Sequence, residues 1–168
     1  MWDEDESTEA IKKALEFAKE RGIKTVFALS SAPIVAKYRK GIWNILPYVD
    51  ILLGNEEEVK ALFQTDDMEF IMQKLPEVVR IGLVTAGPDG AHIVTQCEHL
   101  HIPAAPVEKL VDTTGAGDMF AAGFLYGYSN GYTLQQAGEL GAKAAGYIIQ
   151  QVGARPEGSI THLLLHIN

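Results

Sequence analysis

The sequence predicts an α/β fold: a mostly parallel sheet flanked by helices, with an antiparallel hairpin late in the chain. Three observations carry this expectation. Short apolar runs, partly β-branched, alternate with stretches of helical periodicity, as a parallel sheet with crossover helices requires. The turn-forming trio Pro88-Asp89-Gly90 separates two such runs with nothing helical between them. The 168 residues are 47% hydrophobic, which suits one domain with a real core.

In chain order, Ser7 or Thr8 is placed to cap a helix running to Glu20, with Ile11, Ala14, Leu15 and Ala18 as its apolar stripe. Gly22 stands where a helix C-cap belongs. "KTVFALS" (24–30) reads as a buried strand, and Pro33 opens a helix through Ala36, Tyr38 and Lys40. "VDILLG" (49–54) is a second strand, after which Asn55 caps a helix from Glu56 to Phe63. Asp66 or Asp67 starts a helix toward Leu75. "RIGLVTAG" (80–87) and "AHIVTQ" (91–96) form the hairpin strands, and "EHLHIPA" (98–104) adds a short one. Helices from Gly115 to Tyr128, stopped by Asn130-Gly131, and from Thr133 to Gln151 complete the pattern. There is no internal repeat.

Composition excludes several function classes. A net charge of −8 lacks the basic footprint of a nucleic-acid binder. Part of the acidic excess is the run Asp3–Glu6, read as a solvated terminus. Cys97 is the single cysteine, which leaves no disulfide framework and no thiolate metal cluster. No apolar run approaches a membrane span, and the first residues do not resemble a signal peptide. A soluble, cytoplasmic protein is expected. His99 and His101 alternate on a strand, and His162 and His166 share an i,i+4 spacing. No acid or cysteine pattern beside them supports a zinc site.

The run D-T-T-G-A-G-D-M-F, Asp112 to Phe120, carries the chemistry. Gly115 and Gly117 flank Ala116 at the mouth of a helix, where small residues let a ligand approach the backbone. The first N–H groups of a helix lack intrahelical partners, and with the positive end of its dipole they make an anion site. Asp118 sits in that first turn. A carboxylate there repels a resting anion, so it suits a general base accepting a proton from an attacking hydroxyl. The same residues also suit an ordinary capped helix start, and composition with spacing does not choose between the two. The run is neither a Walker A loop nor G-x-G-x-x-G, because no Lys follows the glycines and Phe120 stands at the third glycine position.

"DTTGAGDMFAAGFLYG" closely resembles the C-terminal signature of the ribokinase-like (PfkB) family of carbohydrate and nucleoside kinases. "NEEEV" (55–59) resembles the family's N-x-x-E segment, and "VTAGPDGAHI" (84–93) its nucleotide-binding strand–turn–strand. "SAPIVAKYRKGIWNILPYVDILLGNEEEV" and "AAGYIIQQVGARP" are similar to the adenosine-kinase branch. The resemblance implies a ribokinase-like fold and ATP-dependent phosphoryl transfer to an alcohol group of a sugar or nucleoside, adenosine- or ribose-like. It implies Asp118 as the base and the backbone of Gly115, Ala116 and Gly117 as the anion hole. Asn55 and Glu58 would organise the Mg²⁺–phosphate region through water. Thr85, Gly87 and Gly90 would line the nucleotide side. Asp112 and Thr114, with the "GARPEGS" loop, resemble the loop that holds a monovalent cation such as K⁺ in many members. The Asn that many members carry near the adenine is replaced by Ala142 and Lys143, which leaves Ala144 to pack against the base. Complete members are considerably longer. Residues 1–168 are therefore expected to be a single C-terminal kinase portion lacking the N-terminal half and lid, inactive alone and prone to self-associate through the strand edge so exposed. The alternative expectation is a non-catalytic nucleotide-binding or oligomerising remnant.

Overall fold

The computed structural model describes residues 5–164. Six α-helices and five strands follow in the order α1 (Asp5–Glu20), β1 (Val26–Ala28), α2 (Ala32–Ile45), β2 (Ile51–Asn55), α3 (Glu56–Phe63), α4 (Met68–Val78), β3 (Ile81–Thr85), β4 (Ala91–Val94), β5 (His99–Ile102), α5 (Ala116–Ser129) and α6 (Leu134–Ile148). The strands form one sheet in the order β1-β2-β3-β4-β5. The chain divides into two compact units. The first holds the described residues up to Val84 together with Val94–His99; the second holds Thr85–Ile93 and the described residues from Leu100 onward.

In the first unit β1 and β2 run parallel, with Val26, Phe27 and Ala28 in register with Ile51, Leu52 and Leu53. Thr25 and Asp50 lock that register at the strand starts: Thr25 N–H donates to Asp50 Oδ2 at 3.0 Å and Thr25 Oγ1 donates to Tyr48 O at 2.7 Å. Lys24 Nζ adds an ion pair to Asp50 at 2.9 Å. The core gathers Leu29, Val35, Ile42, Leu52, Val59, Leu62, Ile71 and Leu75 from the strands and three helices. Each such aliphatic side chain removed from water contributes about 1.5–3 kcal/mol.

Several boundaries differ from the sequence reading, each for a visible reason. Helix α1 already includes Asp5, the first described residue, which puts Ser7 and Thr8 inside it, not at its cap. Its end is as expected: Gly22 N–H donates to Lys19 O and Ile23 N–H to Ala18 O, the paired bonds that close a glycine-terminated helix. Helix α2 continues past Lys40 to Ile45, because Ile42 and Ile45 carry the buried face begun at Val35 on beyond a kink at Tyr38. Asp67, one of two candidates, caps α4 by accepting from Phe70 N–H at 3.0 Å.

In the second unit α5 and α6 pack closely through glycines. A Cβ on Gly123 would lie 2.7 Å from Leu140 O, and one on Gly127 would lie 2.9 Å from Ala137 Cα. Thr133 caps α6 with a capping box to Gln136. Helix α6 stops at Ile148, three residues short of the expected Gln151. The loop before α5 takes over there: Val111 and Asp112 N–H both donate to Ile149 O, at 2.8 and 3.2 Å.

Candidate active site

Helix α5 opens on Gly115, whose φ of 81° lies in the left-handed region that glycine adopts without strain. A Cβ at Gly115 would stand 2.6 Å from the Cβ of Ala154, so the turn also needs a residue without a side chain. Ala116 N–H donates to Thr113 O at 3.1 Å and Met119 N–H to Gly115 O at 2.9 Å. Between them, the N–H groups of Gly117 and Asp118 have no acceptor among the described residues, and no side chain caps the helix. Above Gly117 the space is open, with nothing within 4 Å of a notional Cβ. Gly117 and Asp118 are both exposed. Two free donors at a helix N-terminus, facing open space, suit an anion.

Asp112 takes a different part. One carboxylate oxygen accepts from Thr114 N–H at 2.9 Å and the other from Gly153 N–H at 2.9 Å. The Thr114 side chain, together with the N–H groups of Thr114 and Gly153, holds its pKa below the usual carboxylate range.

The turn after β3 is tight. Ala86 N–H donates to Gly90 O at 2.8 Å, and Asp89 N–H donates to Ala86 O at 3.1 Å. Thr85 ends β3 half-buried, and Gly87 opens a single 3₁₀ turn through Asp89. His101, read from sequence as an ordinary strand residue, bonds Asp89 O through Nε2 at 2.7 Å and lies 5.1 Å from the His92 ring. Ala144 is 2% exposed and packs in an apolar cluster with Met119 and Ile148.

In the first unit, Asn55 and Glu58 form a reciprocal capping box at the start of α3. Glu58 N–H donates to Asn55 Oδ1 at 2.9 Å, Asn55 N–H to Glu58 Oε2 at 3.0 Å, and Asn55 Nδ2 to Glu58 Oε1 at 3.0 Å. Glu58, an acid, is nonetheless only 7% exposed. Burial raises its pKa, partly offset by the Asn55 N–H bond. Gly54 leaves it room: a Cβ there would lie 3.2 Å from Glu58 Oε2. A raised carboxylate pKa means that the folded state holds its proton to higher pH than the unfolded chain does. Its contribution to stability therefore falls as pH climbs from the ordinary Glu range toward the raised value. In urea denaturation from pH 4 to 7, the native chain is expected to lose stability relative to Glu58→Gln. Asp50 and Asp112, with lowered pKa, act oppositely but are common to both proteins and cancel from the difference.

Among the described residues, no group of three or more His, Cys, Asp or Glu side chains is placed to hold a metal ion, and His166 of the i,i+4 pair lies outside them. No helix among them is long and apolar enough to cross a membrane.

A sequence model of the pfkB carbohydrate kinase family matches residues 3–160. The chain belongs to the pfkB family. It is 32% identical over 159 residues to the adenosine kinase of Saccharomyces cerevisiae, covering 88% of this chain and 47% of that protein. It is also 32% identical over 152 residues to the 5-dehydro-2-deoxygluconokinase of Geobacillus thermodenitrificans, covering 85% of this chain and 45% of that protein. Among solved structures, the adenosine kinase from Sinorhizobium meliloti superposes with a TM-score of 0.89 at 36% identity, covering 94% of this chain and 49% of that one. A probable sugar kinase from Rhizobium etli gives 0.89 at 38%, covering 93% and 48%. The ribokinase-like α/β fold with its mostly parallel sheet is thereby established, and this pfkB chain spans about half the length of the relatives it matches.

Of the residues singled out in the sequence, Asp112, Thr114, Gly115, Ala116, Gly117 and Asp118 share one turn, and Thr85, Gly87, Gly90 and Ala144 belong to the same unit. Asn55 and Glu58 belong to the other. Sequence reading missed Gln150, whose Oε1 accepts from Glu108 N–H at 3.1 Å while its Nε2 donates to Gly146 O at 2.9 Å. A glutamine just past a helix carries no pattern that announces such a bridge.

Proposed function

We propose that this chain is the donor side of an ATP-dependent pfkB kinase that phosphorylates a hydroxyl of a sugar or nucleoside, adenosine- or ribose-like. The observation that supports this best is the pair of unpartnered N–H groups at Gly117 and Asp118, in open space beside an exposed carboxylate within the family's motif. Asp118 accepts the proton of the acceptor hydroxyl as its oxygen attacks the γ-phosphorus, and the bond to the β–γ bridging oxygen breaks to release ADP. The N–H groups of Gly115, Gly117 and Asp118 stabilise the charge on the transferred group, while the Ala116 N–H of the expected anion hole is already engaged by Thr113 O. Mg²⁺, when bound, neutralises phosphate charge. Both Glu58 oxygens already accept from Asn55, so Asn55 and Glu58 suit water-mediated contact with the ion better than direct ligation. Thr85, Gly87 and Gly90 line the nucleotide side in this reading, Ala144 supports it from the core, and main-chain carbonyls near Asp112 and Thr114 serve a monovalent cation such as K⁺. A cytoplasmic setting goes with such chemistry. In-line transfer needs an acceptor held opposite the donor, and the 168 residues match only about half of each relative, so we expect them alone to bind nucleotide without turnover. Calorimetric titration of Mg·ATP into the chain tests the reading. Saturable one-site binding supports it, and heats no larger than those of dilution sink it.

A second reading, an oligomerising remnant, is favoured by the β1 edge. β1 comes first in the sheet order, and its pairing with β2 engages Thr25 O and Leu29 N–H. The alternation of a parallel ladder then turns the main-chain groups of Val26 and Ala28 outward, where both residues are exposed. Such an edge templates pairing with another chain. Light scattering is expected to show a mass that rises with concentration, and Val26→Lys is expected to hold it near the monomer. An unaltered chain that stays monomeric at high concentration rules this out.

A further inference from the structure

We propose that the Asp112 carboxylate is a positioning residue for the donor site, joining two loops so that the free N–H groups of Gly117 and Asp118 face one anion. The inference rests on the donor-site reading above and goes beyond it by giving the side chain of Asp112 a task distinct from that of any cation held on main-chain carbonyls. Its two oxygens serve different segments: Thr114 N–H lies in the turn that leads into α5, and Gly153 N–H lies in the loop that leaves α6. The same two loops meet again where Val111 and Asp112 N–H reach Ile149 O, and where Gly115 lies against Ala154. Gln151 Nε2 braces the second loop by donating to Arg155 O at 2.6 Å. The main-chain bonds to Ile149 hold the loops together at one level only. The carboxylate adds the second point that fixes rotation of the turn, and that rotation decides where the first N–H groups of α5 aim.

The two aspartates of the motif thus divide the labour. Asp112 spends both oxygens on backbone donors, whereas the exposed Asp118 carboxylate has no hydrogen-bond partner among the described residues. A carboxylate accepts at both oxygens, but an amide in its place presents one acceptor and one donor, so Asp112→Asn sets an NH₂ group against one of the two N–H groups.

The test measures Mg·ATP affinity by calorimetry and amide hydrogen exchange by mass spectrometry, on the 168-residue chain and its Asp112→Asn variant. The expected result is affinity weakened by about tenfold or more, as loss of a hydrogen bond to a charged group implies. Exchange should accelerate across 113–118 and at Gly153 while α3 and α4 keep their protection. Asp112→Glu, which keeps the charge but displaces it, is expected to weaken binding by a smaller factor, and it serves where the Asn variant unfolds. A merely structural residue would speed exchange throughout the second unit and leave the affinity of the folded fraction unchanged; that outcome overturns the proposal. So does a variant that binds Mg·ATP within twofold of the unaltered chain. Failure of the unaltered chain itself to bind Mg·ATP is a distinguishable result, which overturns the donor-site reading and this proposal with it.

Discussion

Asp118→Asn is expected to lower turnover by about 10²–10⁴-fold, the usual contribution of a general base, in a kinase assembled from this chain and an acceptor side. Mg·ATP affinity should hold or tighten slightly. The substitution keeps the size and shape of the side chain and leaves the Gly117 and Asp118 N–H groups in place. It removes a negative charge from the first turn of α5, where the proposed site would hold the phosphates. Helix α5 itself loses a favourable first-turn acid, a cost of about 0.3–1 kcal/mol that should leave the fold intact. Steady-state kinetics reads the first effect and calorimetry the second. Turnover that survives the substitution would remove Asp118 from the role of base, and affinity that collapses would mean that the residue holds the nucleotide and not the proton.

Gly90→Ala should cost about 3 kcal/mol or more of stability, from strain and overlap together. Gly90 sits at φ 94° and ψ −131°, a conformation open essentially to glycine alone. A Cβ there would lie 2.1 Å from Ile102 O and 2.9 Å from Ala104 N, both backbone atoms at the end of β5. A flexible side chain could swing aside at small cost, but backbone anchored in a sheet cannot. Gly87→Ala is the matched control, three residues away in the same turn. Its φ of 57° is also left-handed, but nothing stands within 4 Å of its notional Cβ, so about 1–2 kcal/mol is expected. Urea denaturation of the two variants separates strain from overlap, and equal losses would refute the contact with β5.

The elements that the sequence displayed most clearly are those written in local chemistry. Asn55 and Glu58 stand three residues apart at the end of an apolar strand, and the capping box they form joins neighbours on the chain. Pro88-Asp89-Gly90 announced a turn because its residues carry their backbone preferences with them. The glycine turn before α5 was legible for the same reason, since glycine spacing and helix onset are both local. The end of α6 was not legible. Helical periodicity continues through Gln150 and Gln151, and what halts the helix at Ile148 is a loop far earlier in the chain, at Val111 and Asp112, claiming the Ile149 carbonyl. The start of α1 was misread because Ser7 and Thr8 are good caps wherever a helix begins, and here the chain is already helical at Asp5.

By itself the sequence determined the fold class and the glycine turn at the mouth of α5, because strand and helix periodicity, glycine placement and capping are properties of neighbouring residues; the family was legible only in motifs that resemble those of its members. Only the tertiary structure decided that Glu58 is buried with both oxygens engaged, that Ala144 is core, and that Asp112 joins two loops while Asp118 stands exposed. Burial and bonding between residues far apart in the chain depend on which surfaces meet when it folds. Two aspartates six positions apart, alike in charge and chemistry, acquire different surroundings from that alone.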